Sequence, residues 1–530
     1  MRNKIKTLLV LLLLFPGVMP GDLFAQDRWV RTYGGSEREW GTTVMQAPDG
    51  GYVMTGGTWS DDKLFQGYGK GDVDGFIVKT DADGIVQWRQ VFGGSTYEVT
   101  NGIALTADSA VVVCGYFFSN DGDFAGLNRG MHDIVIIKMD RNGKVLWKTT
   151  YGGSENENAT CIITTPDGGF AVCGDTRSSD GDFSRSSPRG GSDIFLLRLN
   201  ALGEKQWSIT YGGSKDEGGE RVINTRDGGF AIVGDMASND GDFSRMNKGA
   251  GDIFLMKTDA RGVVQWTRSF GGSKVDRGMS VTQTDDDGFA LAGWTLSTDG
   301  DFLGSRANAD PDAVVVRTDS AGGTVWTRCF GGSREDRAFC IAATADAGYL
   351  MTGGSWSADG DMAGIHKGMS DVFLTKMDST GTTQWTRSYG SISDEEQGYH
   401  LARTRDGGCV LTGYTESSSE DFAGMNNGLG DVFLLKLDAE ATPLGRDSVF
   451  VYPNVASTTI TVVCTTMRNA SLRIDLVDVM GRVVAQVVDA VTTAGTTTFR
   501  HSVSVLPMGV YLVRMTTQDE TQCTKIHVLR

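Results

Sequence analysis

The residues of this chain best suited to chemistry are carboxylates, and they stand in regular places. An Asp-Gly-Asp phrase places carboxylates at Asp121 and Asp123, Asp180 and Asp182, Asp240 and Asp242, Asp299 and Asp301, and Asp359 and Asp361. A phenylalanine or methionine follows each copy (Phe124, Phe183, Phe243, Phe302, Met362). Two carboxylates one residue apart across a glycine can point at one hard cation, and calcium takes roughly six to eight oxygens from a flexible loop. These ten aspartates are therefore candidate calcium ligands. The same residue types also build turns through side-chain-to-backbone bonds, with the aromatic plugging the edge of the unit. The calcium-hand loop ending in a bidentate glutamate is absent.

A second set of acids follows a Gly-Gly-Ser link: Glu39, Glu98, Glu157, Glu217, Asp276, Asp336, and Glu395 or Glu396. They could ring a cation, or each could accept backbone N–H bonds from the next unit. Their repetition favours the second reading. A further aspartate opens a strand at Asp133, Asp193, Asp252, Asp312 and Asp371. Acid and base catalysis needs unlike environments, which a motif present in every unit does not supply. Five histidines are present, and only His132 and His366 fall in long loops. No nucleophile elbow or phosphate-binding loop accompanies them, so no catalytic residue is assigned. Aromatics near the end of one strand do vary between units. Trp59, Phe117, Trp294, Trp356 and Tyr414 are candidates to line a glycan or peptide groove; their alternative role is packing beneath loops.

The elements that must position these groups are set by an internal repeat. Tryptophan recurs at Trp29, Trp88, Trp147, Trp207, Trp266, Trp326 and Trp385, every 59 or 60 residues. Each unit reads as four short strands. In the fourth these are Glu220–Thr225, Phe230–Gly234, Asp252–Thr258 and Val263–Phe270, with a long loop over Asp235–Gly251. Tight Asp-Gly-Gly and Asp-x-x-Gly turns join the others. No helical periodicity appears. Such a unit has two apolar faces and is stable only when stacked between neighbours, so the fold class is an all-β, seven-bladed propeller. The tryptophan is then a packing residue. The seventh unit lacks its fourth strand, and a spare copy stands at Trp29–Tyr33. That strand closes the ring and covers an otherwise open edge. The long loops and Gly-Gly-Ser links share one face, which carries the surface variation a binding site needs.

Of 530 residues, 72 are glycine and 9 proline, and 40% are hydrophobic, which suits turn-rich β structure with a core. The net charge of -17 disfavours nucleic acid and anionic membrane as partners. Arg2, Lys4 and Lys6, the apolar Leu8–Phe15 and the small Ala25 read as a signal peptide over residues 1–25. No later segment is long and apolar enough to span a bilayer. The eight cysteines show no zinc spacing and read mostly as core residues. An exported compartment permits a Cys464–Cys523 bridge, which the spacing does not require.

The repeat domain covers 26–440, and residues 441–449 read as a linker. Residues 450–530 alternate polar and apolar in several runs, the pattern of a small β-sandwich. Val451-Tyr452-Pro453-Asn454, Leu476 to Arg482, Leu506 to Arg514 and Lys525 to Leu529 resemble the C-terminal sorting domain of the type IX secretion system of Bacteroidota. Val455 departs from that family, which usually has a second proline there. The resemblance implies passage across the outer membrane, the secretion machinery as partner, and an extracellular or outer-membrane surface location. It assigns Asn454, Asp478, Gly481, Arg482, Gly509 and Tyr511 to the sorting signal. The expected function is a surface or secreted binding module for glycan, peptide or protein. A polysaccharide-active hydrolase or lyase and a purely structural surface protein are the alternatives.

Overall fold

The computed structural model describes residues 29–184, 190–305, 310–392, 394–422, 424–437, 448–452, 455–456, 459–466, 470–478, 480–492, 495–517 and 521–528. The expected signal peptide over residues 1–25, most of the expected linker and Asn454 lie outside them.

Seven four-stranded antiparallel sheets make up the repeat region, a propeller-like arrangement. Sheet four is representative, with strands Glu217–Asn224, Phe230–Met236, Asp252–Thr258 and Val264–Phe270. Its first strand starts three residues before the expected point, because Glu217 is buried and paired rather than in a loop. Its second strand runs on through Asp235 and Met236, which pair with Ile253 and Asp252. Sheets one, two, three, five, six and seven start at Glu39, Glu98, Glu157, Asp276, Asp336 and Glu396. Sheet seven takes its fourth strand from Trp29–Tyr33, antiparallel to Asp431–Leu437, with Trp29 opposite Lys436 and Tyr33 opposite Val432. The first strands pack in sequence, and that of sheet seven contacts that of sheet one.

Each repeated tryptophan lies against the following sheet. Trp147 meets Phe170 edge-on at 6.1 Å, Trp266 meets Phe289 at 5.9 Å and Trp29 meets Tyr52 at 5.7 Å. The turn glycine of the following sheet lies under the same ring. Gly143, at φ +82°, has no room for a side chain, since a Cβ would stand 2.8 Å from Trp88. On its own sheet, each tryptophan faces a cation, which is buried in every sheet but the second. Lys79, opposite Trp88, ion-pairs at 2.8 Å with Asp49 of the Asp-Gly-Gly turn; Lys257 does so with Asp227 and Lys376 with Asp346. A buried ammonium needs such a partner. The turn aspartate is thus set by the cation two strands away.

The C-terminal residues form two sheets, of three and five strands, around a core that includes Ile460, Leu476, Val513 and Ile526. The strand Ser448–Tyr452 pairs with Thr461–Thr465, so the last two residues of the expected linker belong to this unit. A strand at Gly495–Ser502 was not foreseen; its threonine-rich sequence has little apolar alternation. No helix of the described residues is long and apolar enough to cross a membrane.

Removing residues 29–33 deletes the strand paired to Asp431–Leu437 and the Tyr33 Oη bond to the Gly84 carbonyl, 2.7 Å. The expected outcome is a drop in melting temperature with soluble aggregates on gel filtration, since a long strand edge is uncovered. An unchanged melt and a monomeric profile would contradict the pairing.

Candidate functional site

The Asp-Gly-Asp phrases act as braces. The first aspartate accepts the serine amide of the preceding Gly-Gly-Ser link: Asp121 from Ser95 (2.7 Å), Asp180 from Ser154 (2.8 Å), Asp240 from Ser214 (2.8 Å), Asp299 from Ser273 (2.7 Å) and Asp359 from Ser333 (2.7 Å). The second accepts the first glycine amide of that link: Asp123 from Gly93 (3.0 Å), Asp182 from Gly152 (3.1 Å), Asp242 from Gly212 (3.0 Å), Asp301 from Gly271 (2.9 Å) and Asp361 from Gly331 (3.0 Å). Basic residues of the preceding long loop add ion pairs, as Lys70 does to Asp123 at 2.6 Å and Arg129 to Asp182. Where the phrase is altered, Lys63 and Glu420 keep the left-handed backbone of the missing glycine, at φ 47° and 49°. The aromatic of the phrase is buried, as Phe183 is against Phe195. Among the described residues no group of three or more His, Cys, Asp or Glu side chains is disposed to hold a metal ion.

The link acids are fully buried and serve their own sheet rather than the next. Glu39 accepts the Gly35 amide and the Thr58 hydroxyl, both at 2.8 Å. Glu157 does the same with Gly153 and Thr176, and Asp336 with Gly332 and Ser357. In sheet seven this residue is Glu396, not Glu395, because of one extra residue in the link. The strand-opening aspartate of the preceding sheet meets this acid over the first link glycine. A Cβ on Gly34 would lie 2.1 Å from Asp431 Oδ1 and 2.4 Å from Glu39 Oε2; on Gly390, 2.0 Å from Asp371 Oδ1 and 2.9 Å from Glu396 Oε2. Oδ1 of Asp74, Asp133, Asp252, Asp371 and Asp431 accepts no hydrogen bond. Burial, reinforced by the facing carboxyl, pushes Asp74, Asp133 and Asp252 up to about 6 and Glu396 up to about 8. Below those values a proton shared by the paired oxygens would give the orphan acceptor a partner.

The predicted groove aromatics occupy three different registers. Phe117, the last residue of its strand, is wholly buried and stacks on Phe124 at 4.4 Å; it is core, because that register points between sheets. Trp294 and Tyr414 stand one residue earlier. The Trp294 ring is flanked by the guanidinium groups of Arg277 (5.7 Å) and Arg337 (5.0 Å), and Tyr414 donates its hydroxyl to Glu416. Trp59 and Trp356 lie just beyond the strand. Trp59 is 42% exposed and packs on Trp40 at 4.8 Å. His132 stacks on Tyr116 at 5.3 Å, and its burial lowers its pKa.

The first strands enclose a central cavity of about 340 Å³. Each carries a one-residue bulge, as between Gly219 and Arg221, which turns the fourth residue of the strand toward the axis. Those residues vary between sheets, with threonine in sheets one and three. Met279, Phe339 and Tyr399 of sheets five, six and seven form an apolar arc with Trp40, the second residue of the first strand of sheet one; Phe339 and Tyr399 meet edge-to-face at 5.3 Å. Thr42, Asn101, Thr160 and Glu220 form the opposite, polar arc with Arg221. Three of these hold the neighbouring first strand: Thr42 to the Thr100 carbonyl (2.8 Å), Asn101 to that of Ala159 (2.9 Å) and Thr160 to that of Gly219 (2.7 Å). Glu220 makes no hydrogen bond among the described residues. Burial, then the charges of Asp235 and Asp175, push it up to about 7. Asp175, held by Asn158 at 3.1 Å, is pushed up to about 6 by burial. Asp235 is raised by burial and lies 3.8 Å from Arg277.

Sequence reasoning passed over Trp40, Phe339, Tyr399 and Glu220. The signal that would have found them is variation at one fixed position of an otherwise constant repeat. A second groove, of about 400 Å³, lies between sheets five and six. Its walls include Trp326 and the Arg317–Asp286 pair, frame elements with counterparts in other sheets.

In the C-terminal unit, Asp478 accepts the amides of Met480 (2.9 Å) and Arg482 (3.0 Å) and ion-pairs with the Arg482 guanidinium at 2.8 Å. Gly481, at φ +83°, closes this turn. Tyr511 is buried and donates to the Pro507 carbonyl at 2.9 Å, while Gly509 opens the same strand at the surface. The sorting residues are thus turn and core elements of their own unit.

Residues 450–529 match the family of secretion system C-terminal sorting domains. The chain therefore ends in a type IX sorting domain, which places it at the cell surface or outside a Bacteroidota cell. The regulatory protein FlaEY of Caulobacter vibrioides is 27% identical over 159 residues, 28% of this chain and 17% of that protein. A WD repeat-containing protein, L264, of Acanthamoeba polyphaga mimivirus is 31% identical over 14% of this chain and 6% of its own length. The chain thus spans less than a fifth of either relative. Among solved structures, PorZ of Porphyromonas gingivalis, a surface component of the type IX system, is 14% identical, with 91% of this chain and 58% of that one covered and a TM-score of 0.39. The rhamnogalacturonan lyase YesX is 11% identical, covering 94% and 91%, with a TM-score of 0.25. At this level of similarity neither structure bears on what the chain does.

The raised carboxyl pairs give a pH dependence of stability. A carboxyl with a raised folded pKa stabilises most below its unfolded value and loses that contribution as pH rises through the folded value. For Glu396 the loss runs up to about 8. His132 and His400, kept neutral by burial, oppose this only below about pH 6.5. Melting temperature is expected to be higher at about pH 6.5 than at about pH 8, with Glu396→Gln removing much of the difference. A flat profile in the parent protein would contradict the protonated pair.

Proposed function

We propose that this chain is a surface-displayed binding module, a seven-bladed propeller over residues 26–440 whose central cavity recognises a glycan. The observation that carries this reading is the split wall of the cavity, with apolar and aromatic side chains on one arc and hydroxyl, amide and carboxyl groups on the other. A sugar ring has an apolar face and a hydroxyl-bearing rim, which such a wall matches. Trp40, Phe339 and Tyr399 supply the stacking surface, and Asn101, Thr160 and Glu220 the polar contacts. Residues 1–25 direct export, and the C-terminal domain, joined through a short linker, engages the type IX machinery.

A glycan array probed with the mature protein tests this. At least one glycan class is expected to bind, and Trp40→Ala should weaken it about tenfold, ~1.4 kcal/mol. Binding that survives Trp40→Ala unchanged would move the site elsewhere.

One observation favours a second reading, a polysaccharide hydrolase. Glu220 lines the cavity and feels the charge of Asp175, and a carboxyl still protonated near neutrality is suited to be a general acid. Reducing-end release from the bound glycan, lost in Glu220→Gln while binding remains, would establish that reading over simple binding.

The sorting assignment has its own test. Deleting residues 450–530 should leave the propeller in the periplasm, detected by cell fractionation. Surface delivery without that segment would overturn it.

A further inference from the structure

Of three thiols outside the cavity, Cys161 and Cys173 lie in the core between sheets three and four, and Cys114 lies in the core between sheets two and three. Cys114 lies in sheet two; Cys161 and Cys173 lie in the first and second strands of sheet three. Cys161 and Cys173 are direct register partners, just after the bulge at Thr160. Side chains of directly opposed residues emerge on the same face of the sheet. Their Cα atoms are about 4.5–5.5 Å apart in an antiparallel pair, within the span of about 4.4–6.8 Å that a disulfide bridges. Both residues belong to one core cluster and are 3% and 0% exposed. Only a tight turn separates their strands, closed by Thr165 N–H to the Gly169 carbonyl and Gly168 N–H to the Thr165 carbonyl, both 2.9 Å. Cys114 has no such local link to either. The sorting domain delivers the chain outside the cytoplasm, where thiols meet disulfide oxidants.

We propose that Cys161 and Cys173 are joined by a disulfide in the mature, exported protein. The oxidant is a protein or small-molecule disulfide. Its S–S bond is attacked by one cysteine thiolate, giving a mixed disulfide and one released thiol. The second cysteine thiolate then attacks the mixed disulfide, closing the Cys161–Cys173 bond and releasing the second thiol. Two electrons and two protons pass from the cysteine pair to the oxidant. Both thiols are sealed in the finished fold, so the exchange takes place at the hairpin stage, before sheets two and four pack on either side. In the reduced protein the Cys173 thiol and the nearby Arg221 guanidinium hold Cys161 toward its thiolate, while burial pushes Cys173 up. That arrangement keeps one member of the pair poised for reoxidation whenever sheet three opens.

The test uses mature full-length protein recovered from the culture without reductant. It is denatured with excess maleimide, trypsinised and mass-mapped. Residues 149–177 hold both cysteines and no internal lysine or arginine, so they stay in one tryptic peptide. The expected peptide takes up no maleimide, is lighter by two hydrogens, and stays joined after cleavage beside Asp167. Reduction should then admit two labels. Two labels without reduction, or a link from either residue to Cys114, would overturn the proposal. A second readout is melting temperature. Reductant should lower it in the parent protein and not in the Cys161→Ala, Cys173→Ala double variant. An equal effect of reductant on both would also count against the bridge.

Discussion

The repeat region depends on one contact made seven times: a buried carboxylate at the start of each sheet that gathers the backbone of the link leading into it. Glu39, Glu157 and Asp336 each take a link amide and a hydroxyl from the end of their own second strand, Thr58, Thr176 and Ser355 in turn. A link without side chains can come close enough to donate, and no side chain fits at its first glycine. The braces of the long loops then fasten the other link amides. Removing the carboxylate would leave buried N–H groups unpaired, at roughly 1–3 kcal/mol each. Sheet, link and loop are therefore one unit, which explains why acid, Gly-Gly-Ser and Asp-Gly-Asp recur together.

That coupling also explains what the sequence makes legible and what it hides. The period, the turns and the packing role of the tryptophans follow from spacing and residue type alone, because each unit repeats the same local solution. The carboxylates are a harder case. Asp-Gly-Asp is equally compatible with a cation and with backbone donors, and the choice rests on whether amides stand within reach. Here the link amides do, brought from a segment 26 or 30 residues earlier in sequence. No local pattern announces a contact of that range.

The central cavity was hidden for a different reason. Its lining is selected by a bulge, and a bulge shifts which residue faces the axis by one position. Glu220, Met279, Phe339 and Tyr399 share a place in the fold and no chemistry, so they read as noise beside a strict motif. The groove aromatics diverge for the opposite reason. Phe117, Trp294 and Trp59 look alike in sequence, yet they sit in three registers that send them to the core, between two guanidinium groups and to the surface. A constant frame carries stability, and the departures from it carry whatever selectivity the molecule has.

The pairing of Trp29–Tyr33 with Asp431–Leu437 has a kinetic consequence. Strand partners from the two ends of the repeat region give the fold a step of very long sequence separation, and such steps are slow. The chain emerges from its N-terminus, so its leading strand must wait for the last sheet before it has a partner. Until then the seventh sheet has three strands and an uncovered edge along Asp431–Leu437. In sequence, the sorting domain comes after that edge strand, so the segment that addresses the chain is synthesised later than the strand whose pairing forms last.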